Sequence, residues 1–249
     1  MKKFVFANQK GGVGKTTLAL NFAWYASKKG KTLFIDLDPQ STATWFMFGD
    51  PMKFDHTSGQ IYKGYPIRNL IQKTRYNDFF MIPTNVDQET TMNTKNIPLL
   101  KAGLNEISNE YDIVVIDTRP SIDSVLLSAL SCADFVIIPM RPEQFVLYDF
   151  KALSNLIAEI KQKNYSIKSI SLVINNLKKR TKAHSILLRN IEKDLGDLII
   201  KPYIKDSTYI TEATMYNQMI EEFNPSSLET RDIRLLCNNI LKIGGSSTG

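Results

Sequence analysis

The feature that most restricts what this chain can fold into is a glycine-rich stretch at positions 9–17. An apolar run at 4–7 precedes it, and a helix-like run at 18–29 follows it. Strand, glycine-rich loop and helix, in this order, are the context of a phosphate-binding loop. Glycines let the backbone curl so that successive N–H groups point at one anion, and the helix adds its positive N-terminal end. The stretch reads Gln9-Lys10-Gly11-Gly12-Val13-Gly14-Lys15-Thr16-Thr17.

Two side chains of this loop have predicted roles in holding a nucleotide. Lys15 is expected to reach the β- and γ-phosphates, and the Thr16 hydroxyl is expected to ligate Mg²⁺. The usual first glycine of such a loop would fall on Gln9, so a chance glycine turn is the alternative. The predicted nucleotide-binding residues of the loop are Lys10, Gly11, Gly12, Val13, Gly14, Lys15, Thr16 and Thr17.

The segment Lys-Gly-Gly-x-Gly-Lys-Thr-Thr at 10–17 resembles the deviant Walker A motif of the ParA/MinD family of ATPases. The resemblance implies that ATP and Mg²⁺ are the cofactors and that the chain forms a homodimer with ATP. It also implies that Lys10 reaches across this dimer to the partner's ATP, so that Lys10 and Lys15 both act in catalysis. Slow ATP hydrolysis to ADP and phosphate is the activity expected.

Three aspartates follow two apolar runs that we expect to be parallel strands. Asp36 and Asp38 follow the run at 32–35, and Asp117 ends the run at 113–116, whose four β-branched residues indicate a central strand covered on both faces. Ligands of parallel sheets lie beyond the carboxyl ends of the strands. The resemblance implies that Asp36 and Asp117 support Mg²⁺ and that Asp38 positions the attacking water. Arg119 departs from the family pattern, which has proline there.

Two later positions complete the predicted nucleotide site. Asn175 ends a predicted strand at 169–175 and resembles the family's adenine-contacting residue. An amide can both donate to and accept from the adenine edge. Asparagine at a strand end is also ordinary turn chemistry, so that alternative stays open. Pro202 is included in the predicted cofactor-binding set.

Alternating strands and helices along the whole chain predict an α/β fold. We expect a doubly wound, mainly parallel sheet of about seven strands with helices on both faces, the arrangement of P-loop NTPases. The last strand is predicted at 198–200, a helix from 178 to about 194, and the final helix at 227–243. One domain is expected over residues 1–243. The tail at 244–249 has linker composition and is predicted to be flexible.

Composition excludes several other classes of protein. No apolar run approaches the roughly 18–20 residues of a membrane span, and the run at 4–7 is too short for a signal-peptide core. The two cysteines, Cys132 and Cys237, lie far apart in apolar helical stretches and are predicted to be reduced and buried. We therefore expect a cytoplasmic protein without stable membrane insertion.

Positive charge is concentrated in residues 161–206. This segment carries eleven Lys/Arg and four Asp/Glu, whereas the whole chain has a net charge of +6. Such a bias is either a solvated surface or a contact with nucleic acid or an anionic surface. The DNA-contacting candidates are Lys178, Lys179, Arg180, Lys182, Arg189, Lys193, Lys201 and Lys205.

Two functions fit this reading. The first is DNA segregation by a ParA-type protein that binds non-specific DNA in its ATP state, is nucleoid-associated in that state and has a ParB-like centromere-binding adaptor as partner. No operator-binding helix-turn-helix is expected. The alternative is a MinD-like, membrane-associated ATPase for division-site positioning. That alternative requires a basic amphipathic C-terminal helix, whereas the stretch 231–243 has only Arg231, Arg234 and Lys242 as cations.

Overall fold

The computed structural model of the protein describes residues 1–85, 94–143, 146–162, 167–178 and 182–245. Seven strands of this part form one sheet in the order β3-β4-β2-β5-β1-β6-β7. All pairings are parallel except that of β3 with β4, a short antiparallel edge. The strands are β1 (Lys2–Phe6), β2 (Thr32–Asp36), β3 (Gln72–Lys73), β4 (Phe79–Ile82), β5 (Ile113–Asp117), β6 (Phe135–Met140) and β7 (Ser169–Ile174).

Helices cover both faces of the sheet, because each parallel crossover carries the chain back over one face. Short 3-10 helices at Pro51–Lys53, Ser58–Lys63, Ile67–Leu70, Thr94–Asn96 and Gly196–Leu198 fill parts of the connections. The α-helices are α1 (Lys15–Ser27), α2 (Thr42–Phe48), α3 (Ile97–Glu106), α4 (Ser124–Cys132), α5 (Val146–Gln162), α6 (Lys182–Leu195), α7 (Thr208–Met215), α8 (Ile220–Phe223) and α9 (Leu228–Gly245).

The central strand β5 shows how the sequence divides the core between the two faces. Val114 and Ile116 belong to the cluster under α3, α4 and α5, whereas Ile113 and Val115 belong to the cluster under α1 and α9. Successive side chains of a strand point to opposite faces, so a continuous apolar run supplies both layers at once. The doubly wound, mainly parallel fold expected from the sequence is confirmed.

Parallel order brings the polar ends of several strands to one edge of the sheet. β1 lies between β5 and β6, and Phe6 of β1 is in register with Asp117 of β5, which is in register with Asp36 of β2. The glycine-rich loop after β1 therefore lies beside the carboxylates that end β2 and β5. This edge is where ligands of open α/β sheets bind.

Two predictions about element boundaries differ from the structure. The run 198–200 is not a strand of the sheet: Gly196–Leu198 is a 3-10 helix, and Ile199 makes a single bridge to Leu172. The expected seventh strand is instead β3. The final helix continues through Gly245, so both glycines are helical, and a Cβ on Gly244 would lie 2.9 Å from the Phe4 ring, so Gly244 is packed. The remaining tail, 246–249, lies outside the described residues.

Candidate nucleotide site

A cleft of about 570 Å³ opens at the carboxyl edge of the sheet. The whole loop from Lys10 to Thr17 and the start of α1 form its floor, and α7 forms one wall through Ile210, Thr211 and Thr214. Asp38 and Asn175 also line the cleft. Of the residues predicted to act on or bind the nucleotide or metal, all of them in the described part of the chain, Asp36, Asp117 and Pro202 are not among those that line it.

The backbone of the loop takes a conformation that only glycine adopts without strain. Gly12 has φ of 72° and Gly14, the residue that caps the N-terminus of α1, has φ of 85°. Left-handed residues of this kind turn consecutive N–H groups toward one point, which creates an anion-binding concavity at a helix N-terminus.

Asn175 holds this loop from the other side of the cleft. Its Nδ2 donates to the Val13 carbonyl at 2.7 Å, while its backbone N–H donates to the Met140 carbonyl at 2.8 Å. A Cβ built on Gly14 would lie 2.2 Å from the same Nδ2. Glycine is therefore required at 14 by close approach as well as by backbone angle. Here the Asn175 amide contacts the loop; the predicted adenine contact stays a prediction.

Lys15 and Asp117 form a buried ion pair below the loop. The Lys15 Nζ lies 3.3 Å from Asp117 Oδ1, and the two side chains are 7% and 0% exposed. Burial raises the pKa of Asp117, against the opposing effects of the Lys15 ammonium and the Thr16 hydroxyl beside it. An ammonium held in place below the loop is suited to attract a phosphate.

The second oxygen of Asp117 is a buried polar atom without a partner. Oδ2 accepts no hydrogen bond within the described structure. Burying such an atom is costly unless a ligand satisfies it. Asp117 Oδ2 and the Thr16 hydroxyl are oxygen donors of the kind that Mg²⁺ prefers when nucleotide phosphates and waters supply its other ligands. The residues present thus fit the predicted metal.

Asp36 and Asp38 have different environments although they are two residues apart. Asp36 is fully buried: Oδ2 accepts from the Thr44 amide at 3.0 Å and its hydroxyl at 2.8 Å, and Oδ1 accepts from the Asp38 amide at 3.1 Å. Burial and the neighbouring Asp117 charge raise the pKa of Asp36 to about 7. Asp36 therefore anchors α2 to the sheet edge. The Asp38 carboxylate faces the cleft and accepts from the Gln40 amide at 3.0 Å.

Lys10 is paired within its own chain. Its Nζ lies 2.6 Å from Glu143 Oε2, three residues beyond the end of β6. The Asn8 side chain accepts from the Lys10 amide at 2.8 Å and donates to the Pro139 carbonyl at 2.7 Å, which ties the start of the loop to β6. The Lys10–Glu143 contact joins residues that are 133 positions apart, so the spacing within the loop motif does not predict it.

Arg141 continues this polar network toward β7. With the Asn176 amide oriented so that its oxygen faces the guanidinium, that oxygen accepts from Arg141 Nε at 2.9 Å and from Nη2 at 2.5 Å. Arg141 also lines the cleft and lies 4.0 Å from Glu143. Sequence reasoning assigned no role to Arg141, Glu143 or Asn176. The sequence does show that polar residues follow β6 and β7, two strands whose carboxyl ends lie at the same edge of the sheet, and this pattern could have indicated the network.

Arg119, the departure from the family pattern, is paired with Asp123 and is not among the residues that line the cleft. Its Nε donates to Asp123, which also accepts from Ser121 and from the Val125 and Leu126 amides at the start of α4. Although burial acts to raise the pKa of Asp123, these hydrogen bonds and the Arg119 charge hold it below its ordinary value. Arg119 thus braces the loop after β5.

Some of the residues predicted to contact DNA are exposed, whereas one is paired with other side chains and others are not described. Lys178, Arg189, Lys193 and Lys205 are exposed. Lys201 is bound by Tyr203 and by Glu192, whose Oε1 lies 3.1 Å from the Lys201 Nζ. Lys179 and Arg180 lie outside the described residues, and of Lys182 only the backbone position at the start of α6 is described.

No helix in the described ranges is both long enough and apolar enough to cross a bilayer. In the same ranges, no three His, Cys, Asp or Glu side chains are grouped to hold a metal by themselves. Mg²⁺ at nucleotide sites needs no such group, since the phosphates supply much of its coordination.

Comparisons with known proteins agree with the geometry of the cleft. A family model described as "AAA domain" matches residues 1–172. The chromosome-partitioning ATPase Soj of Thermus thermophilus is 26% identical over 245 residues, which cover 97% of this chain and 96% of Soj.

Solved structures give the same picture. A plasmid partition protein of Borrelia burgdorferi, solved with AMPPNP, is 26% identical with a TM-score of 0.80, and the match covers 99% of each chain. The apo McdA structure from Cyanothece has a TM-score of 0.87 over 98% of this chain and 100% of McdA. Its identity of 21% makes that likeness one of fold alone.

Proposed function

Because the chain belongs to the ParA/MinD-type P-loop ATPases of the AAA domain family, we propose that it is an ATP-dependent dimer switch for DNA segregation. ATP and Mg²⁺ are its cofactors, and its product is ADP with phosphate. The observation that carries this proposal is the buried Lys15–Asp117 pair under a left-handed glycine loop, with one Asp117 oxygen left for a ligand.

The roles of the phosphate-binding groups follow from their positions. The loop amides and the Lys15 ammonium bind the β- and γ-phosphates, and the positive end of α1 adds to this attraction. Thr16 and Asp117 hold Mg²⁺. Asp36, also predicted to support the metal, has both oxygens bonded to Thr44 and Asp38, so its support is indirect, through the loop that it fixes. The bound metal neutralises charge that develops on the phosphate oxygens.

Asp38 orients the attacking water, a role that its place in the cleft supports. It lies in the cleft with one oxygen on the Gln40 amide, so its orientation is set before nucleotide binds. Lys10 acts on the nucleotide of the second subunit, which links hydrolysis to dimerisation. Loss of the γ-phosphate then removes the anion that joins the halves. Intrinsic turnover is slow, and a ParB-like adaptor accelerates it.

The exposed cations of the 161–206 segment support the DNA part of the proposal. Lys178, Arg189, Lys193 and Lys205 are available to phosphates of a duplex, and such contacts carry no sequence information. The Soj and plasmid partition relatives favour this branch over a MinD-like role at the membrane. In the cell, the protein is cytoplasmic and nucleoid-associated when ATP is bound.

The deciding experiment is binding to a non-specific DNA duplex with ATP, with ADP and without nucleotide, across a salt series. We expect binding with ATP only, and we expect the affinity to fall steeply as salt rises. The Lys15→Ala variant serves as the control that cannot use ATP. If the chain instead binds anionic vesicles in an ATP-dependent manner and ignores DNA, the division-site alternative replaces partition.

A further inference from the structure

The Lys10–Glu143 contact occupies the side chain that the proposed dimer needs. Both partners are about two-fifths exposed, at 40% and 43%, and the contact is short at 2.6 Å. Lys10 is tied to β6 through Asn8 and Pro139, and the Glu143 amide donates to the Arg141 carbonyl at 2.8 Å just after β6. The pair therefore forms without a second subunit.

A second cation, Arg141, lies near Glu143. Arg141 Nη1 lies 4.0 Å from Glu143 Oε1, and the other guanidinium nitrogens of Arg141 are fixed on Asn176. The hydrogen bond from Lys10 holds the pKa of Glu143 below its ordinary value, so the group is an anion at neutral pH. When Lys10 leaves, Arg141 still compensates this charge, which makes the separation reversible.

We propose that Glu143 is a positioning residue that holds Lys10 inside its own subunit until the ATP of a second copy offers a stronger anion. The inference rests on the proposed dimer switch. A single ammonium then has two competing partners, a carboxylate with one negative charge and a triphosphate with several. Glu143 thereby sets the ATP concentration at which two subunits join.

The size of the effect follows from the exposure of the pair. Partly exposed ion pairs shift an equilibrium by a factor of up to about five. Glu143 therefore raises the threshold for dimerisation without blocking it. The Glu143→Gln variant keeps the size of the side chain and removes the charge, and it is expected to dimerise at roughly two- to fivefold lower ATP concentration.

The first test is an ATP titration followed by sedimentation velocity. Wild type is compared with Glu143→Gln and with Glu159→Gln, a matched loss of one negative charge at an exposed position of α5. We expect the midpoint to fall for Glu143→Gln and to stay at the wild-type value for Glu159→Gln. Equal midpoints for wild type and Glu143→Gln, or equal shifts in both variants, overturn the inference.

A second readout needs no dimer. In nucleotide-free protein, the acetylation rate of each lysine is followed by mass spectrometry, with the exposed Lys205 as the internal control. Glu143→Gln should raise the rate at Lys10 severalfold and leave Lys205 unchanged. An unchanged rate at Lys10 in Glu143→Gln overturns the pairing itself. A raised rate at Lys10 in Glu143→Gln, combined with a wild-type chain that stays monomeric with ATP, leaves the pairing in place and overturns the dimer switch on which the inference rests.

Discussion

The phosphate-binding loop and the basic segment at 161–206 are both rich in cations, but the cations of the two regions differ in burial and in how firmly they are fixed. In the loop region, Lys15 is 6% exposed and is fixed by a carboxylate, and the loop backbone is fixed by Asn175. In the basic segment, Lys178 and Lys205 are exposed, and Lys201 is already paired with Glu192.

This difference separates a preorganised site from an electrostatic surface. A preorganised group loses little freedom when its ligand binds, so a single change there has a large effect. Mobile surface cations act additively through counterion release, and each contributes little. The predictions below follow that order.

The largest expected effect is at Lys15. Lys15→Ala removes the buried ammonium from the phosphates and leaves Asp117 without its cation, so we expect at least a hundredfold weaker ATP binding. Isothermal titration calorimetry measures this loss, with Lys151→Ala on the exposed surface of α5 as the matched control. An ATP affinity unchanged by Lys15→Ala would contradict the placement of the phosphates.

The next effect is at Gly14. Gly14→Ala forces a side chain into a left-handed residue and against Asn175 Nδ2, 2.2 Å away. We expect a loss of about 1–2 kcal/mol in the free energy of unfolding, which thermal denaturation detects as a shift of a few degrees. Gly11→Ala is the comparison, since its Cβ would meet nothing within 4 Å and its φ is not positive. Equal destabilisation by the two changes would refute the steric argument.

A smaller effect distinguishes two lysines of the basic segment. Lys205→Ala should lower the slope of log affinity for DNA against log salt by about one, because one phosphate contact is lost. Lys201→Ala should change that slope less, since Glu192 already holds the Lys201 ammonium. Fluorescence anisotropy with ATP over a salt series measures both slopes. A larger change in slope for Lys201→Ala than for Lys205→Ala would contradict the assignment of Lys205 as the stronger phosphate contact.

The smallest effect concerns Glu192 itself. Hydrogen bonds from Tyr203 and Lys201 hold the pKa of Glu192 below its ordinary value, so the folded state binds its proton less readily than the unfolded state. The resulting stability is present above the unfolded pKa, near 4.3, and is lost as pH falls through the folded value. Glu192→Gln should therefore cost less than about 1 kcal/mol at pH 7. Denaturation by urea should show that this difference disappears in acid.

The sequence predicted those parts of the site that depend on local spacing. The loop at 10–17 carries its glycines and Lys15 in consecutive positions, and Asp117 ends a run of β-branched residues that could only be a buried strand. Parallel pairing then brings Asp36 and Asp117 into register, as the fold class required.

The parts that were missed depend on contacts between distant residues. Glu143 meets Lys10 across 133 positions, and the Asn175 amide turns to Val13 across 162 positions. The apolar run at 198–200 has the composition of a strand. A short apolar run does not indicate whether its backbone forms a continuous set of hydrogen bonds with a neighbouring strand or only one isolated bridge. Lys201 was likewise included among the DNA-contacting candidates, because the sequence does not show that Glu192 pairs with it.

The most direct test of the whole account is the mass of the protein in solution with ATP and with ADP, for wild type and Lys10→Ala. Light scattering after size-exclusion chromatography gives the mass, and calorimetry confirms that both proteins bind ATP. The account predicts a wild-type dimer with ATP only, and a Lys10→Ala variant that binds ATP but stays monomeric. A normal ATP-driven dimer of Lys10→Ala would contradict it.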